Sequence, residues 1–222
     1  MRRVAVALAT AVAACGVCDA CDARPSTPPP AQDAAVMPPR MRGTLLVRDD
    51  STLRFVACGT VTERALIAPP ASQLRTAIAA VNGAVRDSLF VEFIADSARG
   101  PFTVRETLFA TSVAGGSRCD RPPVPFEIVA TGNEPFWRVT FDGTQLMLER
   151  PEPPRELVFD ADPAIARGNL TTILGRRSLG GMHHLTLGVL RESCRDGMSD
   201  SWYPYRAEVR ADGIALHGCA RR

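Results

Sequence analysis

The chain has no lysine, only two tryptophans and two tyrosines, and almost no net charge. All 26 basic residues are arginine, set against 24 acids. A nucleic-acid partner calls for a basic face, and single-strand binding adds aromatic platforms along a basic groove. With aromatics at 6% and charges nearly balanced, the sequence offers neither. The absence of lysine is read as genome composition. Catalytic signatures are missing too. There is no G-x-S-x-G, since the nearest run, GRRSLGG, holds one residue too many before Ser178. The stretch with Asp196 and Asp200 lacks the alternating acids and closing glutamate of a calcium loop. The apolar run over residues 4–14 is too short to cross a bilayer as a helix.

That run has a different use. Behind the positive Met1-Arg2-Arg3 it has the length of a secretory h-region, and it ends at Val12-Ala13-Ala14-Cys15. An aliphatic residue, two small ones and a cysteine resemble the bacterial lipobox. The resemblance implies cleavage before Cys15 and diacylation of Cys15, so the membrane is the first expected partner. Cleavage would remove Arg2 and Arg3 and leave bases and acids equal in number.

Seven cysteines in an exported chain imply a disulfide framework with a remainder. Position favours Cys58 with Cys119, which bracket one folded segment, and Cys194 with Cys219, near the end of another. In a loop-entropy account these closures are worth about 4 and about 3.5 kcal/mol. Cys18 and Cys21 stay beside the membrane. Residues 22–42 carry six prolines and no apolar period. Such a stretch cannot bury enough surface to fold, and at about 3.1 Å per residue it spans up to about 60 Å as a tether.

The expected plan is therefore a signal peptide over residues 1–14, a lipidated cysteine and tether over 15–42, and two domains over 43–121 and 124–222. The first reads as strands GTLLVRD, TLRFVAC and ERALIA, then a helix, then SLFVEFIA and FTVRETLFATS. Ser72 is placed to cap the helix, with Leu74, Ile78, Val81 and Val85 on one stripe and Asn82-Gly83 weakening its last turn. Three strands, a helix and two strands is the order of a five-stranded OB-type barrel. Arg121-Pro122-Pro123-Val124-Pro125 marks the boundary. Beyond it no helical period appears, and a second all-β domain, barrel or sandwich-like, is expected. Asp142-Gly143 is read as a two-residue turn setting Phe141 opposite Thr144, Val139 opposite Leu146 and Trp137 opposite Leu148. Asp212-Gly213 sets Val209 opposite Leu216, Glu208 opposite His217 and Arg206 opposite Cys219. RELVFD, NLTTIL and HHLTLGVL are further strands. The overall class is mainly β.

Two stretches of the second domain, ATGNEPFWRVTFDG and CRDGMSDSWYPYRAEV, together with the closing LHGCA, resemble an uncharacterised family of bacterial envelope lipoproteins in which GNEPFW and C-x-DGMSD-x-x-YP recur. GTLLVRDD, RFVACG and the following helix resemble the OB-type domain of NlpE-like lipoproteins. These resemblances imply an envelope lipoprotein without an established reaction. The copper association of NlpE-like proteins goes with a C-x-x-C pair in another domain. Here that spacing occurs only at Cys18 and Cys21, in the tether, so the association is not carried over.

Some residues suit site chemistry as well as a structural role. Cys15, Cys18 and Cys21 have soft-metal spacing, and Met182, His183, His184 and Met198 are copper-type ligands. A lipidated Cys15 is no longer a thiolate, however, and adjacent histidines on a strand point to opposite faces. No metal and no cofactor is therefore expected, with copper handling as the alternative. Ser199 with Asp200 and a histidine, or Glu134 paired with Asp200, would make an envelope hydrolase, the second alternative; no enzyme is expected. The reading adopted is a binding, sensing or scaffolding module of the envelope, placed at the outer membrane because Gly16 rather than Asp follows Cys15. Its partner is an envelope protein or a small ligand. The candidate groove lies between the two motifs, from Asn133, Glu134, Trp137, Asp196, Asp200, Trp202 and Tyr203, and it requires an exposed Trp202.

Overall fold

The computed structural model describes residues 38–48, 52–81, 88–96, 101–113, 118–120, 126–180 and 182–222. The expected signal peptide, Cys15, Cys18, Cys21, the tether up to residue 37, Val85 and the boundary prolines lie outside them. Among the described residues no helix is long and apolar enough to cross a membrane.

The first five strands are β1 (Arg40–Val47), β2 (Leu53–Ala57), β3 (Glu63–Ile67), β4 (Ser88–Ala95) and β5 (Phe102–Ser112), with helix α1 (Leu74–Val81) between β3 and β4. They run in the order β5-β3-β2-β1-β4, and β4 returns to β5, closing a five-stranded barrel in which only β3 and β5 are parallel. This is the OB-type order expected from the sequence. The stripe Leu74, Ile78 and Val81 is buried against the barrel, together with Ala77. Phe55 stacks edge-on against Phe93 and Phe102 at its centre. Two local expectations change. Ser72 lies in a 3-10 turn, and Gln73, in the left-handed region, stands between it and the helix; Ser72 Oγ still accepts from the Leu74 amide at 3.4 Å. The tether was expected to run through residue 42, yet Arg40, Met41 and Arg42 belong to β1. Pairing with β4 continues to Arg40 opposite Ile94, because both arginines reach Glu92.

The second half holds β6 (Ile128–Asn133), β7 (Phe136–Phe141), β8 (Gln145–Glu149), β9 (Glu156–Ala161), β10 (Ile165–Arg167), β11 (Leu170–Arg177), β12 (His183–Leu190), β13 (Cys194–Asp196), β14 (Ser201–Tyr203), β15 (Tyr205–Ala211) and β16 (Ile214–Arg221). Strands β6-β7-β8-β9-β11-β12-β15-β16 close on one another, all antiparallel, as an eight-stranded barrel. Each strand pairs with its successor round the ring, so the barrel is a meander and alternate hairpins fall at the same end. The seam between β9 and β11 is short: only Ala161 with Gly175 and Asp160 with Arg176 are paired. Gly175 permits it, because a Cβ there would come within 2.9 Å of Phe159 Cβ.

The hairpin at Asp212-Gly213 pairs as expected, with Val209 opposite Leu216, Glu208 opposite His217 and Arg206 opposite Cys219. The hairpin at Asp142-Gly143 is shifted by two: Phe141 faces Leu146 and Val139 faces Leu148. The Asp142 carboxylate accepts from the amides of Thr144 and Gln145, which moves the turn centre to Gly143-Thr144. A two-residue shift preserves which face is which, so Trp137, Val139 and Phe141 all remain in the core.

Between β12 and β15 the chain leaves its own barrel. Strand β14 pairs with β5, Ser201 opposite Thr111 and Trp202 opposite Ala110, so the β13–β14 hairpin extends the first sheet. Residues 37–222 accordingly form one compact unit with two cores. On β4, Phe90 and Glu92 alternate with Leu89, Val91 and Phe93 of the barrel core, yet they too are buried. Phe90 packs edge-on to Phe109, and Phe109 to Tyr203. Glu92 takes ion pairs from Arg40, Arg42 and, across the two barrels, Arg221 at 2.9 Å. Burial pushes its carboxyl up, but Arg221, Arg40 and Arg42 outweigh burial and hold it below its ordinary value. Glu106 is shared by Arg222 and by the Tyr205 hydroxyl, which donates to it at 2.9 Å. Burial and then the Glu106 charge push the Tyr205 phenol up to about 12, so it remains a donor. Both expected disulfides are formed, Cys58–Cys119 and Cys194–Cys219.

Candidate functional site

The two motifs do meet. The end of β6 carries Asn133 and Glu134, and Asn133 Nδ2 donates to Asp196 Oδ1 at 2.6 Å. Together with Met198, His217 and the Cys194–Cys219 bridge, these three residues line a shallow cleft of about 430 Å³. Inside DGMSD, Asp196 also accepts from the Met198 amide at 3.0 Å and from Ser199 Oγ at 2.6 Å, so its oxygens are spent on holding the turn. Asp200 has a positive φ of 46° and pairs at 3.2 Å with Arg195, which lines the cleft, while Asp200 itself does not line it.

The aromatic members of the expected groove are elsewhere, in two different cores. Trp137 is 1% exposed inside the second barrel. Gly132 and Gly218 leave room for its indole, since a Cβ on either would fall within 2.8 Å of it. Trp202, required to be exposed by the groove reading, is 1% exposed and sits in the core of the first barrel. The pairing of β14 with β5 carries it there. Tyr203 is half-buried against Phe109, and burial raises its phenol above the ordinary value despite a hydrogen bond with Thr131. The groove as drawn from the sequence is thus reduced to Asn133, Glu134 and Asp196.

The copper-type residues are also dispersed. His183 Nδ1 lies 2.7 Å from Asp212, and the exposed His184 stands opposite Arg176 on the other face of β12. Met182 and Met198 are exposed at separate loops. Among the described residues no group of three or more His, Cys, Asp or Glu is placed to share a metal ion. Ser199 is bonded to Asp196 rather than to a histidine.

A larger concave site lies at the end of the second barrel where the β6–β7 hairpin turns, with Pro135 and Phe136 on its border. Four alternate hairpins meet there, with residues 134–135, 150–155, 178–180 and 212–213. They surround a cavity of about 580 Å³ whose floor is barrel core, with Trp137, Leu148 and Phe159, and whose walls include Leu157 and Leu216. Phe136, Leu179 and Ile214 stand half-exposed or more on its lip. Strand parity explains the polar members. Inward positions run Leu146, Leu148, Arg150 on β8 and its hairpin; Ile173, Gly175, Arg177 on β11; and Val189, Leu187, Leu185, His183 on β12. Each row is apolar until its last residue at the rim, which carries nitrogen. Of these three the sequence reading names only His183, as a copper-type ligand, because the direction of Arg150 and Arg177 depends on ring closure that a single strand does not reveal. Alternation in HHLTLGVL was the one available signal.

Compared with known protein families, with curated proteins and with solved structures, the chain matches none.

Proposed function

We propose that the chain is a lipid-anchored bacterial envelope protein, facing the periplasm from the outer membrane, that acts by binding. The observation supporting the binding half is the open apolar cavity of about 580 Å³ at the rim of the second barrel, within the size range of roughly 300–1,000 Å³ that small-ligand sites occupy. An eight-stranded barrel is wide enough to hold either its own side chains or one small ligand. The anchoring half rests on Val12-Ala13-Ala14-Cys15, the proline tether and the two disulfides, which persist in oxidising compartments. The likeness of GNEPFW and DGMSD to envelope lipoproteins points the same way.

Mass spectrometry of the protein extracted from its own membranes tests both halves. The expected spectrum has diacylglycerol on an N-terminal Cys15, two intact disulfides and a co-purifying small molecule. Retention of residues 1–14 on the membrane-bound protein, or a Cys15→Ser chain that remains in the membrane fraction, would overturn the anchor.

A further inference from the structure

We infer that the rim cavity of the second barrel takes a single alkyl chain carrying an anionic head, with the chain inside the barrel and the head at Arg177 and Arg150. The inference rests on the binding reading above and names its ligand class.

The depth of the site is hydrocarbon. Trp137, Leu148 and Phe159 form the floor and Leu157 a wall, and the pairing of β9 with β11 stops at Asp160 and Arg176, one residue short of Arg177. The barrel is therefore unzipped along the side where Leu157, Phe159, Arg177 and Leu179 line the cavity, which gives an elongated ligand a way in. Exposed apolar side chains on the lip, Phe136, Leu179 and Ile214, extend the hydrocarbon surface outward from the mouth.

The charge is at the rim and is unspent. Arg177 is half-buried on an inward position, and among the described residues nothing accepts a hydrogen bond or ion pair from it. A half-buried guanidinium without an acceptor leaves hydrogen-bonding capacity unused. Arg150 donates from Nε only to the Pro154 carbonyl at 3.1 Å and has no carboxylate partner among the described residues. The cavity's two carboxylates do not neutralise this pair: Glu152 is on the exposed hairpin, and Asp212 is held by His183 Nδ1 and by the His184 amide. A planar guanidinium at the mouth of an apolar shaft fits a carboxylate or phosphate oxygen pair whose tail points inward.

The test uses the mature chain with Cys15→Ser, which can be handled without detergent, and displacement of a neutral fluorescent naphthylamine probe. Dodecanoate and dodecyl phosphate are compared with dodecanol. The inference expects at least one anion to displace the probe about tenfold more tightly than the alcohol. Affinity should rise by about fourfold per methylene from six carbons until the cavity is full. Preference for the carboxylate indicates free fatty acid, and preference for the phosphate indicates a lipid headgroup. The double change Arg177→Gln and Arg150→Gln should bring anion and alcohol within about twofold while leaving alcohol binding unchanged. Ile214→Trp, at the exposed lip, should weaken all three by obstruction with an unchanged melting temperature. If probe and alcohol bind but the anions gain nothing, the ligand class is wrong and the binding site stands; if nothing enters the cavity, both readings fail.

Discussion

Both barrels close, one through a parallel β3–β5 pair and the other as an antiparallel meander, and they are filled differently. Five strands enclose a column that Phe55, Phe93 and Phe102 occupy, with α1 packed against it, and it is completed by Trp202, borrowed from residues well outside its own strands. Eight strands enclose more volume than their inward residues fill. The end beside the first barrel is covered by β13, β14 and the Glu92 and Glu106 ion pairs, whereas the far end keeps a cavity floored by Trp137 and Phe159. The two tryptophans show the contrast most directly. Trp202 plugs a barrel, while Trp137 forms the bottom of an open one. The difference teaches that the end of the second barrel facing the first is given over to cohesion, and the hairpin end, where GNEPFW turns, is where a ligand has room.

The comparison breaks most severely if the plug is removed. Trp202→Ala should cost about 4 kcal/mol in urea unfolding by leaving a cavity in the first core. The buried Nε1 has no partner among the described residues, so Trp202→Phe should cost much less than the alanine change. Replacing both Cys194 and Cys219 with serine releases the hairpin that carries Trp202 and should cost about 3 kcal/mol by the same measurement. Glu92→Gln withdraws the anion from three arginines. The loss should be about 2 kcal/mol, less than for a fully buried pair because the arginines still reach water. Glu92 also gives a pH signature: its folded value lies below the ordinary 4.5, so its stabilisation is complete above about 4.5 and fades as pH falls through the lower folded value. Acid unfolding of the wild type should therefore be steeper than that of Glu92→Gln in this window. At the open rim the expected effect is smallest. Leu179→Ala, at a side chain 74% exposed, should change stability by less than about 0.5 kcal/mol.

What the sequence revealed follows a physical division between local and distant causes. The strands of the first barrel and the position of α1 were legible because period-two and helical patterns are local, and β4 and β5 span the same residues expected of them. Asp212-Gly213 gave the right register because both residues take positive φ, at 47° and 86°, as a two-residue hairpin turn requires. The same dipeptide at Asp142-Gly143 misled by two residues. There the aspartate side chain caps Thr144 and Gln145, an outcome that identical letters do not distinguish. Glu134 and Asp196 could be placed near each other from motif context. Trp202 could not, because its burial depends on a strand pairing between barrels that no local pattern encodes. Arg177 carries no site signal in the sequence, because it is closure of the ring that turns its side of β11 inward.

The sheet that β14 extends has a temporal consequence. Ser201 and Thr111, whose hydroxyls bond at 2.9 Å, are 90 residues apart. At a synthesis rate of about 5–20 residues per second, roughly 5–20 seconds separate their appearance. Domains generally fold in the order they are made, but here the earlier barrel waits for the later part of the chain to seal it. A chain truncated before residue 202 would leave a barrel with an open apolar core, whatever the quality of its own five strands.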